Sequence, residues 1–140
     1  MRVNFDTVVL VRGLLNPHGS AGTLLFDETA RYEWVVSPEI VEEYLQVLSR
    51  PRIASKFRSF KSRNLHVVLA QIATATLVHP EHIPAICRDP ADDKFLAAAT
   101  ISNADFIVTA DNDLLVLGSH EEITICAPEA FLQFVRQEPG

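Results

Sequence analysis

The sequence predicts an α/β fold, a parallel β-sheet covered by helices on both faces, and two observations carry that prediction. Short runs of β-branched and aromatic residues alternate with longer stretches patterned at helical period. Turn and cap residues mark the switches between them, so each strand is followed by a helical crossover. Such crossovers are right-handed and build parallel sheets. The chain has 140 residues, 48% of them hydrophobic, which suits one domain over residues 1–140 with a sizeable core.

In chain order, Arg2 to Asp6 reads as a short strand ending in an acid. Val8 to Leu15 is apolar and runs into an Asn16-Pro17-His18-Gly19 turn. Ser20 is placed to cap a helix through Leu24, Leu25 and Phe26. Tyr32 to Val36 is the second strand. Ser37-Pro38 then reads as N-cap and first helical position, since proline's fixed φ suits the helix start. That helix carries Ile40, Val41, Tyr44, Leu45, Val47 and Leu48 on one broad face and stops before Arg50-Pro51. A polar, basic helical stretch follows to about Ala73, and Thr76 to Val78 is the third strand. Asp89-Pro90-Ala91-Asp92 is a turn into a helix from Asp93 to Ser102. Asp105 to Thr109 is the clearest strand, with Asp111 just beyond its end. A short helix over Leu114 to Leu117, a strand over Glu122 to Cys126 and a helix opened by Pro128 complete the chain.

Charge and composition narrow the function classes. The formal net charge of −6 argues against a general electrostatic nucleic-acid binder. The basic residues are unevenly spread, however. Arg50, Arg52, Lys56, Arg58, Lys61 and Arg63 are half of the 12, so this stretch is either a solvated helix face or a strip that contacts phosphates. Cys87 and Cys126 match no zinc or redox spacing and read as reduced, mostly buried thiols. No run approaches the ~20 apolar residues a membrane helix needs. The N-terminus also lacks the apolar run of a signal peptide, so a cytoplasmic protein without membrane contact is expected.

Acids recur where a parallel sheet builds its sites, outside the carboxyl ends of the strands. Asp6 ends the first strand. Glu42 and Glu43 follow the second, Asp92 and Asp93 precede the fourth, and Asp111 and Asp113 follow it. Mg²⁺ and Mn²⁺ are hard cations that prefer carboxylate oxygens. Singly, most of these acids have ordinary roles: helix N-termini, solvated helix faces, turns. Asp6 is the exception, because it interrupts the apolar run from Val3 to Leu15. The weight lies in the convergence of four segments on one sheet edge.

Several segments together resemble the PIN-domain family, in particular the toxin components of toxin–antitoxin pairs (VapC-like). They are Phe5-Asp6-Thr7 with Val9-Leu10-Val11, Ser37 to Glu43, Cys87 to Ala97, Ile107 to Leu115, and Ile125 to Leu132. The Arg-Asp-Pro-x-Asp-Asp block followed by Thr-x-Asp is the most specific part. The resemblance implies an α/β/α sandwich around a parallel sheet, a Mg²⁺ or Mn²⁺ site and cleavage of RNA. It also implies an antitoxin partner and a homodimer. It maps the catalytic acids onto Asp6, Glu43, Asp93 and Asp111, with Asp113 as an auxiliary ligand. Glu43 follows from its spacing to Ser37, and lies nearer the apolar stripe than Glu42. Asp93 follows from its position three residues before Leu96-Ala97. Thr7 and Thr109 would orient carboxylates through their hydroxyls. The family usually carries Asn directly after Asp-Thr; here the residue is Val8.

Two other readings compete. A phosphoacceptor receiver domain needs paired acids after the first strand and a lysine after the last, and neither is present. A weakly catalytic binding module for RNA or an antitoxin would keep the fold with little turnover, and Val8 and the acidic balance lean towards it.

Overall fold

The computed structural model describes residues 1–57 and 62–137. Among the described residues, six strands form one sheet: β1 (Arg2–Phe5), β2 (Glu33–Val36), β3 (Thr76–Leu77), β4 (Phe106–Val108), β5 (Ser119–His120) and β6 (Ile123–Cys126). Their spatial order is β3-β2-β1-β4-β6-β5, and all pairings are parallel except β5 with β6. Helices α1 (Thr7–Leu15), α2 (Ser20–Phe26), α3 (Pro38–Leu48), α4 (Pro51–Ala54), α5 (Ser62–Thr74), α6 (Asp93–Ser102), α7 (Asn112–Leu115) and α8 (Pro128–Gln137) flank the sheet. This is the α/β sandwich with a central, mostly parallel sheet that the alternating pattern predicts.

The order of the strands decides where a site can form. From β1 the chain steps outward through β2 to β3, then crosses back to β4 on the other side of β1. The crevice between β1 and β4 is therefore the point where the winding reverses, and ligands of parallel sheets bind outside strand ends there. Register places Phe5 opposite Val108, so Asp6 and Thr109 leave the sheet side by side.

Two apolar clusters hold the elements. In the larger one, the buried Phe5 ring meets Tyr32 and Trp34 edge-on, each at 5.3 Å between centroids, and Phe131 of α8 at 6.5 Å. The smaller gathers Leu96 and Ala99 of α6, Ile107, Leu114, Ile123 and Ile125. Against the turn that precedes α2, the chain passes so closely that a Cβ on Gly22 would stand 2.4 Å from Pro17 Cα, which glycine alone avoids.

Local differences from the sequence expectation have physical reasons. Val8–Leu15 belongs to α1, which starts at Thr7 under an Asp6 cap. Gly19, not Ser20, is the N-cap of α2, and no side chain caps it. Ser37 caps α3 through the Ile40 amide as expected, at 3.3 Å. The basic stretch is divided into α4, a 3-10 turn over Ser55–Phe57 and α5. β5 is two residues long, too short for a period-two signal. Among the described residues, no helix is long and apolar enough to cross a membrane.

Candidate active site

Asp6 is fixed from three directions. It is 3% exposed and caps α1, its Oδ1 accepting the Val9 amide at 2.9 Å. Its Oδ2 accepts the Thr109 hydroxyl and, at 3.2 Å, the Ala110 amide. Burial raises its pKa above the ordinary carboxylate value; the bonds from Thr109, Val9 and Ala110 oppose that, and the Asp111 charge adds to it.

Glu43 reaches the same place from α3. The Thr7 hydroxyl donates to its Oε2, and Lys94 Nζ of α6 donates to its Oε1 at 2.5 Å. Glu42, one position earlier, is exposed and accepts from Gln46 at 3.4 Å. A rotation of about 100° per residue separates the two.

The densest charge comes from the segment before α6 and the turn after β4. Oxygens of Asp89, Asp92 and Asp113 lie within 4.8 Å of one another. Asp89 caps a 3-10 turn over Pro90–Asp92, and Asp111 caps α7 through the Asp113 amide at 2.9 Å. Asp113 also pairs with Arg88 at 2.9 Å. Asp92 is 7% exposed, and its Oδ2 is buried without a hydrogen-bond partner. Burial pushes its pKa up to about 7, helped by a hydrogen bond that its protonated form makes to Asp111 and by the charges of Asp111, Asp89 and Asp113. An acceptor buried among like charges with no donor is costly unless it is protonated or meets a cation.

Asp93, which the spacing selected, is placed elsewhere. Its Oδ1 accepts the amides of Ile86 and Cys87 at 3.0 and 2.7 Å. Burial would raise its pKa, but those bonds and one from the Cys87 thiol hold it below the usual value. It therefore anchors the loop ahead of α6, and Asp92 takes the place facing the other acids. Asp89 was missed. Its signal was the i, i+3 spacing to Asp92, which aligns side chains in a 3-10 turn.

A pocket of about 580 Å³ opens over these groups, and Asp6, Thr7, Glu43, Asp89, Asp92 and Asp111 line it. Asp113 adjoins it through the acid cluster without lining it. Of the basic stretch, Arg50 lines the pocket; Arg52, Lys56 and Arg63 are exposed away from its lining. Arg58 and Lys61 lie outside the described residues. Cys87 and Cys126 are unbridged and half-buried, and burial pushes their pKa values to about 12 and about 11, so they are protonated thiols at neutral pH.

The model of the PIN domain matches residues 2–113, a span that contains every one of these carboxylates. The chain belongs to the PIN-domain family. An uncharacterized protein of Methanocaldococcus jannaschii is 31% identical over 120 residues, covering 84% of this chain and 75% of the relative. PIN domains are generally metal-dependent nucleases. A divalent ion fits the donor set of this PIN domain: hard carboxylate oxygens, one of them buried and unpaired, in a cluster whose charges repel without it.

Proposed function

We propose that this PIN domain is a Mg²⁺- or Mn²⁺-dependent endoribonuclease acting as the toxin of a toxin–antitoxin pair. The observation that carries the nuclease reading is Asp92 Oδ2, buried and unpaired beside Asp111 at the sheet's switch point. Asp89, Asp92 and Asp113, whose oxygens lie within 4.8 Å of one another, are the metal-holding acids in this reading, with Asp6, Glu43 and Asp111 around them in the pocket. When bound, the ion lowers the pKa of a water and neutralises charge on the phosphodiester under attack.

The chain's own residues prepare that chemistry by orientation. Thr109 and the Ala110 amide fix the plane of the Asp6 carboxylate. Asp111 is held by its capping bond, which leaves its other oxygen for the site. Thr7 and Lys94 hold Glu43 in place, and Lys94 offsets one negative charge. Preorganised ligands of this kind need no rearrangement when the substrate arrives.

The test is cleavage of a fluorophore-labelled single-stranded RNA by purified protein with Mn²⁺ and with EDTA. Cleavage should require the metal and vanish in Asp92→Asn. Cleavage that persists in EDTA, or an active Asp92→Asn, rejects the reading. The toxin role rests on the resemblance, and growth arrest relieved by a co-expressed neighbouring gene product is its test. Val8 favours a second reading, an RNA-binding module with low turnover. It is half-exposed in the pocket lining and offers no hydrogen bond where the family usually carries Asn.

A further inference from the structure

The pocket extends beyond its carboxylates along two helices. On α1, the residues after Asp6 that line it are Thr7, Val8, Val11 and Arg12; on the α3 side they are Glu43, Val47 and Arg50. Val8 lies three and four residues before Val11 and Arg12, and Glu43 four before Val47, so each of these sets shares one helical face, while Arg50 follows the end of α3. The α1 side thus runs from the Asp6 cap through aliphatic side chains to Arg12, and the α3 side from Glu43 through Val47 to Arg50, which is the N-cap residue of α4. At about 1.5 Å of rise per residue, Asp6 and Arg12 are separated by ~9 Å along α1. α1 packs against α3, and Ile53 of α4 joins the aliphatic wall between them. Val8 is 50% exposed, and Arg12 and Arg50 are both exposed. Among the described residues, neither arginine is in an ion pair.

We propose that Val8, Val11, Val47 and Ile53 form a subsite for an unstacked nucleobase of single-stranded RNA, with Arg12 and Arg50 contacting phosphates beside it. The proposal rests on the ribonuclease reading and names the form of RNA that reading takes. Three features favour this occupant. The aliphatic strip shares one cavity with the acid cluster, so whatever lies on it is joined to the group presented to the metal. The cavity has the volume of a small-molecule site, which accepts an extruded base but not a helix. Charge alternates along it in the order a nucleotide needs: cation-seeking acids, an apolar floor, then two guanidiniums that match phosphate geometry. In a duplex the base faces are stacked inside and cannot reach such a floor; single strands present them. The strip itself has no donor or acceptor, so it reads the presence of a base and not its identity.

Fluorescence anisotropy tests the subsite, using a labelled single-stranded hexaribonucleotide and six copies with one abasic position each, in Ca²⁺, with gels confirming intact RNA. The native protein should bind one abasic copy about fivefold more weakly or worse. Val47→Ser/Ile53→Ser should bind intact RNA at that weakened level and lose less than twofold further on the abasic copy. Arg12→Ala and Arg50→Ala should each flatten the salt slope by about 0.7, and Arg52→Ala should not. A native protein indifferent to every abasic position, or a double variant as sensitive as native, overturns the subsite. If the double variant does not fold, Val8→Ser, at an exposed position, completes the same cycle. Calorimetry of Mn²⁺ with native protein separates this from the underlying reading. Absence of metal binding and of metal-dependent cleavage defeats the ribonuclease, while the abasic comparison still decides the subsite.

Discussion

Asp92 Oδ2 is buried with no donor and faces Asp111, Asp89 and Asp113, whereas the neighbouring Asp93 has its oxygen satisfied by two amides. Asp93→Ala leaves those amides without their acceptor. It should cost about 2 kcal/mol or more of stability and keep the melting shift that Mn²⁺ produces. A loss of the Mn²⁺ response with unchanged stability would return Asp93 to the site. Asp92 also sets a pH dependence. Its unfolded pKa is 3.8 and its folded pKa is about 7, so between them the folded state holds a proton the unfolded state has lost. Its contribution is present in full below the lower value and is lost as pH rises through the upper one. In EDTA, native protein should therefore lose stability relative to Asp92→Asn between pH 4.5 and 7.5, measured as urea midpoints. Parallel curves would contradict it. The choice between these two acids was not legible in the sequence, because it depends on which amides the loop before α6 brings within reach. Asp6 was legible because it interrupts the apolar run from Val3 to Leu15 at a strand end, although the cap it gives α1 was not.

Among the elements, strands and helices at regular spacing were readable because burial imposes their periods. α3 was clearest, with its Ser37 cap, first-turn proline and apolar stripe together. α1 was not distinguished from a strand, because an apolar run of that length suits either, and only the Asp6 cap decides. The β5–β6 hairpin was half seen. Its loop is Glu121-Glu122, with φ of 47° and 71°, the left-handed values that a two-residue hairpin turn demands and that glutamates adopt at a cost. Glu121→Asn/Glu122→Gly should raise stability by about 1 kcal/mol without affecting RNA cleavage. A melting temperature that does not rise would show that these backbone angles are relaxed. The basic stretch was legible as charge alone. Which of its residues meets the pocket depended on where α3 ends, and only Arg50 lies there among those described.

For the whole molecule, a net charge of −6 and a concentrated acid cluster describe a fold that is opposed by like-charge repulsion at its own site. Winding order supplies the location, since Asp6 and Asp111 leave adjacent strands at the reversal point, and the chain's length is spent on holding four segments there. A ligand that binds only the folded state stabilises it by about 2.7 kcal/mol at a hundredfold excess over its dissociation constant. The most direct measurement is therefore the melting temperature of native protein and Asp92→Asn at pH 7.5, each with EDTA and with Mn²⁺. Native protein should melt below Asp92→Asn in EDTA and should rise by several degrees with Mn²⁺, while the variant gains much less. If Mn²⁺ shifts both equally, or shifts neither, the acids do not form a shared metal site.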